Sequence, residues 1–73
     1  MKDKEVAPMN IWVNGEPKQV QEATTVAALL DSLGYPDRGI AVALDQGLLP
    51  RSTWTTALRD GSRIEVVTAV QGG

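Results

Sequence analysis

The sequence contains no cysteine and no histidine. Without cysteine, the chain can form no disulfide, no thiolate metal site and no persulfide of its own. Without histidine, it lacks the most common general base and transition-metal ligand, and it cannot build a Ser–His–Asp triad. A conventional enzyme is therefore not expected, and the sequence favours a carrier or a binding module.

Aromatic residues are scarce, at 4% of 73 residues, which is too few for the stacking platforms that bind single-stranded nucleic acid. The seven Lys and Arg residues are scattered and the net charge is −2, so we expect no basic face that binds phosphates. No apolar run approaches the roughly 20 residues of a membrane span, and no secretory leader opens the chain. We expect a cytoplasmic protein that contacts neither nucleic acid nor membrane.

The composition, 42% hydrophobic and 22% charged, is typical of one small globular domain. Residues 1–8 (MKDKEVAP) alternate in charge and end in proline, which predicts a flexible N-terminal extension, native or a cloning leader. A docking arm is the alternative for this segment. Patterned sequence starts at Met9, so the predicted domain covers residues 9–67, followed by a flexible tail over residues 68–73.

The first patterned segment predicts a β-hairpin. Ile11-Trp12-Val13 is apolar and β-prone, and Asn14-Gly15 accepts the positive φ angles of a two-residue turn. The return strand includes Lys18-Gln19-Val20, and Pro17 restricts this strand to an edge of the sheet. We expect Trp12 to be buried or half-buried by packing.

A short helix follows the hairpin. Its N-cap is Thr24 or Thr25. An apolar stripe with helical spacing consists of Val26, Leu29, Leu30 and Leu33. Gly34 provides the left-handed stop, and Pro36 prevents continuation.

The second half of the chain predicts three more extended segments. Residues 40–44 (IAVAL) alternate large and small side chains, residues 45–47 (DQG) form a turn, and Leu48-Leu49 forms a brief strand. Ser52 is expected to cap a helical turn that carries Trp54 toward the core, where Leu58 also packs. After a turn with Gly61 at positive φ, residues 64–67 (IEVV) form the last strand.

This order of elements indicates an α+β fold with a mixed sheet of four to five strands and one main helix packed across it. The first and last strands are the natural central parallel pair, which is the arrangement of the ubiquitin-like β-grasp fold.

Alternation along the last strand predicts an exposed, weakly apolar sheet face. If Ile64 and Val66 face the helix, then Glu65 and Val67 face outward, beside Ala41 and Ala43. Monomers usually cover such a face with charge, so we interpret it as a docking surface for partner proteins. Arg51 is a further docking candidate that meets an acidic partner, although a structural role is the simpler interpretation.

The C-terminal Gly72-Gly73 is the one candidate for chemistry. A C-terminal carboxylate has a pKa of roughly 3.3–3.7, so it is an anion that can attack the α-phosphorus of ATP. The resulting acyl-adenylate can be attacked by a persulfide sulfur, which leaves a thiocarboxylate. Glycines lack Cβ atoms, so they can pass through a narrow channel. The six tail residues reach at most about 20 Å into a partner.

Several motifs resemble the sulfur carriers of thiamine biosynthesis, the ThiS family, over Met9–Gly73. They are Met9-Asn10-Ile11-x-Val13-Asn14-Gly15, Thr25-Val26-x-x-Leu29-Leu30, Ala41-Val42-Ala43-Leu44, Pro50-Arg51-Ser52-x-Trp54, Leu58-x-Asp60-Gly61 and the final Gly-Gly. The resemblance implies a sulfur carrier rather than an enzyme, with Gly73 as the modified residue and with Val70, Gln71 and Gly72 threaded into the partner.

The resemblance also implies partners. An E1-like adenylating enzyme of the ThiF type uses ATP and Mg²⁺ on Gly73, a cysteine desulfurase supplies sulfur, and a thiazole synthase of the ThiG type accepts it. No cofactor or metal is expected to be bound by the chain itself. Three alternatives stay open: a MoaD-like small subunit of molybdopterin synthase, a ubiquitin-like protein modifier, and a non-catalytic β-grasp interaction domain. The tail residues Thr68-Ala69-Val70 contain no proline, which argues against the first of these.

Overall fold

The computed structural model of the chain describes residues 8–68. Within that range the elements are β1 (Pro8–Val13), β2 (Glu16–Gln21), α1 (Val26–Ser32), β3 (Ile40–Leu44), β4 (Gly47–Leu48) and β5 (Arg63–Thr68). A short 3₁₀ turn, Arg51–Thr53, lies between β4 and β5. Strand structure therefore reaches one residue beyond the predicted domain 9–67 at each end. No helix of residues 8–68 is long and apolar enough to cross a membrane.

The strands described here form one mixed sheet in the order β2-β1-β5-β3-β4. β1 pairs with β5 in parallel, and the other neighbours are antiparallel. The prediction of a central parallel pair made by the first and last strands is confirmed. This is the expected α+β, β-grasp arrangement, in which the last strand occupies the middle of the sheet.

The predicted first hairpin is confirmed in detail. Asn14 and Gly15 have φ angles of 51° and 83°, and the turn they form pairs Val13 with Glu16. β2 is an edge strand, as Pro17 required. In a two-residue hairpin the residues that flank the turn exchange both hydrogen bonds, so the next residue, Pro17, directs its nitrogen away from β1. Pro17 therefore costs the sheet no hydrogen bond, and it removes a donor from the open edge.

The helix begins and ends as the sequence predicted. Thr25 is the N-cap, since its Oγ1 accepts a hydrogen bond from the Ala28 N–H at 3.1 Å. The N–H groups of Val26 and Ala27 have no acceptor within the helix. They donate instead to carbonyls of the segment after the 3₁₀ turn, at N···O distances of 3.0 and 2.9 Å. Gly34, with φ of 84°, ends the helix. The first turn is thus tied to the loop that leads into β5.

Two local predictions were wrong. The turn between β3 and β4 has two residues, Asp45 and Gln46, both at positive φ, so Gly47 already belongs to β4 and Leu49 lies beyond it. Ser52 does not cap the 3₁₀ turn. Among the described residues no side chain caps it, and its N-cap position is Pro50, whose carbonyl instead accepts the Thr53 hydroxyl at 2.7 Å.

The core lies between α1 and one face of the sheet. Its buried apolar side chains are Met9, Ile11, Val13, Val26, Leu29, Leu30, Val42, Trp54, Leu58, Ile64 and Val66. Trp54 and Leu58 are buried as predicted, and the indole N–H of Trp54 donates to the Leu49 carbonyl at 3.1 Å. The helix covers only this face of the sheet, which leaves the opposite face for other contacts.

Candidate functional site: the bare sheet face beside the C-terminal tail

Successive side chains of β5 point to opposite faces of the sheet, one buried against the helix and the other exposed. Val66 faces the core and is 8% exposed, whereas Val67 faces the opposite way and is 64% exposed. Glu65 is exposed with Val67, and Ile64 is buried with Val66. The predicted orientation of the last strand is therefore confirmed. The strand is central in the sheet and carries the chain toward its C-terminus.

The outward side chains of three neighbouring strands form one surface. Val67 pairs with Ala41, and Glu65 pairs with Ala43 across the β3–β5 ladder. Ala43 pairs in turn with Leu48 on β4, so Leu48 shares this face. Leu48 is 76% exposed, an unusual position for a large apolar side chain. It was not among the predicted docking residues. Its place follows from the two-residue turn, which sets Leu48 opposite Ala43 and which the sequence did not predict.

The same face continues onto β1, where Trp12 lies beside Arg63 in the parallel ladder. Trp12 is 39% exposed, and the Arg63 guanidinium carbon lies 5.8 Å from the centre of its indole ring. This distance is within the range of a cation–π contact. The expectation that packing buries or half-buries Trp12 was wrong, because alternation along β1 places it on the outward face, where it is exposed. We call this surface the bare face, and it consists of Trp12, Ala41, Ala43, Leu48, Arg63, Glu65 and Val67.

Arg51 lies outside the bare face, on the 3₁₀ turn. Its guanidinium meets the Asp37 carboxylate at 3.3 Å, and the two side chains are 58% and 78% exposed. Such an exposed pair adds little to stability, because water and salt screen it. Arg51 lines an open groove of about 510 Å³ whose other walls include Ala41 and Leu48. It is therefore a neighbour of the bare face rather than a member.

The predicted chemical site lies outside the described residues. Val70, Gln71, Gly72 and Gly73 follow β5, and the described chain ends at Thr68. The bare face is thus built partly on the strand that leads directly to the predicted site. Val67, on that face, is six positions before Gly73 in the chain.

Comparisons with known proteins agree with this fold. The family model described as the ThiS family matches residues 11–73. The sulfur carrier protein ThiS of Thermus thermophilus is 38% identical over 64 residues, covering 86% of this chain and 98% of that protein. A crystal structure of ThiS from Geobacter metallireducens superimposes with a TM-score of 0.75 at 30% identity, covering 89% of this chain and all of that one.

A longer relative is also similar. The thiazole synthase of Paramagnetospirillum magneticum is 35% identical over 66 residues, and this chain spans only 20% of its length. The match of the family model to most of the chain, together with one sequence relative and one solved structure of similar length, confirms the resemblance drawn from the motifs. The chain belongs to the ThiS family, the sulfur carriers of thiamine biosynthesis.

Proposed function

We propose that this protein carries sulfur as a thiocarboxylate on Gly73 for the formation of the thiazole of thiamine. It acts as a protein cosubstrate, not as an enzyme. The observation that carries the proposal is the family match, which extends from residue 11 to Gly73. The absence of cysteine and histidine from the sequence supports it, because the carrier then depends on its terminal carboxylate and on chemistry supplied by partners.

The proposed reaction begins at the terminal carboxylate. A carboxylate oxygen of Gly73 attacks the α-phosphorus of ATP on a ThiF-type enzyme that holds Mg²⁺, and pyrophosphate leaves. The terminal sulfur of a persulfide, formed by a cysteine desulfurase, then attacks the acyl carbon and AMP leaves. A thiol cleaves the resulting acyl disulfide at its S–S bond, which leaves the thiocarboxylate on Gly73. Gly72, Gln71 and Val70 occupy the channel that leads to each partner's active site.

The bare face is the proposed docking surface for these partners. It presents exposed apolar side chains at Val67 and Leu48, with the small Ala41 and Ala43 between them. A flat surface of this kind can approach a partner closely, and its apolar centre gains free energy when water is excluded. Arg51 stands at its border, where it can meet an acidic residue of the partner once it leaves Asp37.

The acceptor in this proposal is a thiazole synthase of the ThiG type. Support comes from relatives that are themselves named thiazole synthase and contain a segment similar to this chain within a much longer protein. A carrier segment and an acceptor on one chain would have a high effective concentration for each other. The adenylating enzyme and the desulfurase follow from the chemistry of Gly73, and the proposed compartment for all of them is the cytoplasm.

Mass spectrometry tests this proposal. The protein is incubated with ATP, Mg²⁺, a ThiF-type enzyme, a cysteine desulfurase and cysteine. The expected product is heavier by about 16 Da, the difference between sulfur and oxygen, and fragmentation places the change on Gly73. A product without this gain, or a conjugate to lysine of another protein, contradicts the proposal. The second outcome identifies a protein modifier instead.

A further inference from the structure

Asn14 makes two hydrogen bonds to β5 at the point where β1 ends. Its backbone N–H donates to the Ile64 carbonyl at 2.8 Å. Its side-chain Oδ1 accepts from the Val66 N–H, also at 2.8 Å, in a part-buried setting. One residue of the hairpin turn thus contacts two successive ladder positions of the strand that leads to the tail.

These two bonds reproduce one step of a parallel ladder. In such a ladder a residue donates to the carbonyl of one partner residue and accepts from the N–H two positions later. Within residues 8–68 the β1–β5 pairing ends at Val13↔Ile64, because the turn directs the chain into β2. The Asn14 side chain supplies the oxygen that a backbone carbonyl would otherwise supply. Without it, the Val66 N–H would lose its partner in a part-buried position, which is costly.

The conformation of Asn14 restricts which residues can do this. Its φ of 51° lies in the left-handed region, which asparagine, aspartate and glycine tolerate best. The opposite end of the amide, Nδ2, lies 3.5 Å from the Tyr35 hydroxyl in the loop after α1. A backbone N–H can only donate, so the amide oxygen must face Val66. Asn14 therefore joins the first hairpin, the loop after the helix and β5.

The second hairpin contains a counterpart at the other end of β5. Asp45 also has φ of 51° and occupies the first position of its turn. Its N–H donates to the Arg63 carbonyl at 2.7 Å, and its Oδ1 accepts from the Arg63 N–H at 2.9 Å. Asp45 thus extends an antiparallel ladder at the start of β5. Asn14 instead binds the N–H of Val66, two residues before Thr68, the last described residue.

We propose that Asn14 is a positioning residue for the C-terminal tail. It holds the β1 side of β5 at Val66, beyond the last pair of the β1–β5 ladder, while β3 holds the other side as far as Thr68. Because both sides of the strand are fixed before a partner binds, less conformational entropy is lost on binding, and the carrier binds better without a change in the reacting carboxylate. The role of Asn14 at Val66 is read from the structure, and its use in presenting the tail rests on the proposed function.

Three variants test this role: Asn14→Gly, Asn14→Asp and Asp45→Gly. Asn14→Gly keeps a residue that favours the left-handed turn and removes the acceptor, whereas Asn14→Asp keeps both. Asp45→Gly is the matched control, since it removes an equivalent side-chain bond at the far end of the same strand. The measurements are melting temperature, hydrogen exchange at the Val66 amide, and the KM and kcat of each carrier variant in ATP–pyrophosphate exchange with a ThiF-type enzyme.

In Asn14→Gly, the Val66 amide should exchange about tenfold faster, as expected for the loss of one hydrogen bond of ordinary strength. Its KM should rise about fivefold while kcat stays within about twofold of the wild type, because binding is lost and the reacting group is intact. Asn14→Asp should keep the Val66 exchange rate and KM at their wild-type values. Asp45→Gly should lower the melting temperature by about as much as Asn14→Gly does, but it should leave KM unchanged.

A KM for Asn14→Gly equal to that of the wild type overturns the proposal, and so does an equal rise in KM for Asp45→Gly, which would indicate general destabilisation. Failure of Asn14→Asp to restore KM also overturns it. If the wild-type carrier supports no exchange at all, the proposed function fails, and the role of Asn14 in tail presentation fails with it. The first three results leave the proposed function intact.

Discussion

Neighbouring residues of the same type differ widely in exposure, depending on which face of the sheet they occupy. Val66 and Val67 are the same amino acid at adjacent positions of β5, yet one is 8% and the other 64% exposed. Leu48 and Leu49 show a similar contrast, since Leu48 is 76% exposed and Leu49 packs against the core. Burial is set by which face α1 covers, not by residue type. The apolar character of the bare face is therefore not required by folding.

The faces also differ in size of side chain. The covered face carries large aliphatic residues that pack against the helix, whereas the bare face places Ala41 and Ala43 between Val67 and Leu48. Small residues make the bare face flat. A flat apolar surface can pack closely against a partner, and this contact removes apolar area from water. The substitutions below compare the two faces directly.

The largest effect is expected from Val66→Asp. This change buries a charge for which the structure offers no cationic partner among the described core residues. The expected loss is about 3 kcal/mol or more of the free energy of unfolding, enough to unfold so small a domain. Thermal melting measures it. A cooperative transition at the wild-type temperature would show that this side of the strand is not the core.

A smaller effect is expected from Leu49→Ala, with Leu48→Ala as its control. Leu49 is partly buried against the core, so truncation should cost about 1–2 kcal/mol. Leu48 is exposed, and its truncation should change stability by less than about 0.5 kcal/mol. Denaturant titration of the pair gives both values. Equal losses would mean that the bare face also contributes to folding.

Val67→Asp should affect binding rather than folding. Stability should stay within about 1 kcal/mol of the wild type, because the side chain is exposed and the change costs only strand propensity. Binding to the ThiF-type enzyme or the thiazole synthase should weaken by at least about tenfold, or 1.4 kcal/mol, because a charge would be desolvated in the interface. Isothermal titration with each partner measures this. Unchanged affinity for both partners would exclude Val67 from the docking surface.

The smallest effect is expected from Arg63→Ala. The guanidinium lies over the Trp12 ring on the bare face, and an exposed cation–π contact contributes roughly 0.5–1 kcal/mol. Arg63→Lys is the control that keeps the charge and loses the planar group. Denaturant titration should show a loss of about 0.5 kcal/mol for alanine and less for lysine. A loss above about 2 kcal/mol would mean that Arg63 is part of the folding core.

The sequence was sufficient for the elements whose signals are local. Asn14-Gly15, Thr25 and Gly34 act within a few residues, and alternation over residues 64–67 orients β5 without reference to other strands. The parallel pairing of the first and last strands at the centre of the sheet followed from the crossover rules once the helix was placed. These features agree with each other, which is why the fold and the orientation of Val67 could be predicted together.

The remaining features depend on contacts across the fold. Gln46 adopts φ of 75° although glutamine has no preference for it, so a two-residue turn at Asp45-Gln46 carries no clear sequence signal. That turn places Leu48 opposite Ala43 and thus on the bare face. The bond from Asn14 to Val66 joins residues 52 positions apart, and no local pattern reveals it. Both features emerge only when the strands are paired.

In the proposed function the terminal carboxylate of Gly73 is the reacting group, so a residue added after Gly73 should stop the reaction. A single alanine is added after Gly73, and ATP–pyrophosphate exchange with a ThiF-type enzyme is compared with that of the unmodified chain. The extension moves the carboxylate beyond the Gly-Gly terminus and should leave the core of residues 8–68 intact, as checked by thermal melting. We predict that exchange is lost while the melting temperature is unchanged. Normal exchange by the extended protein would show that the carboxylate of Gly73 is not the reacting group.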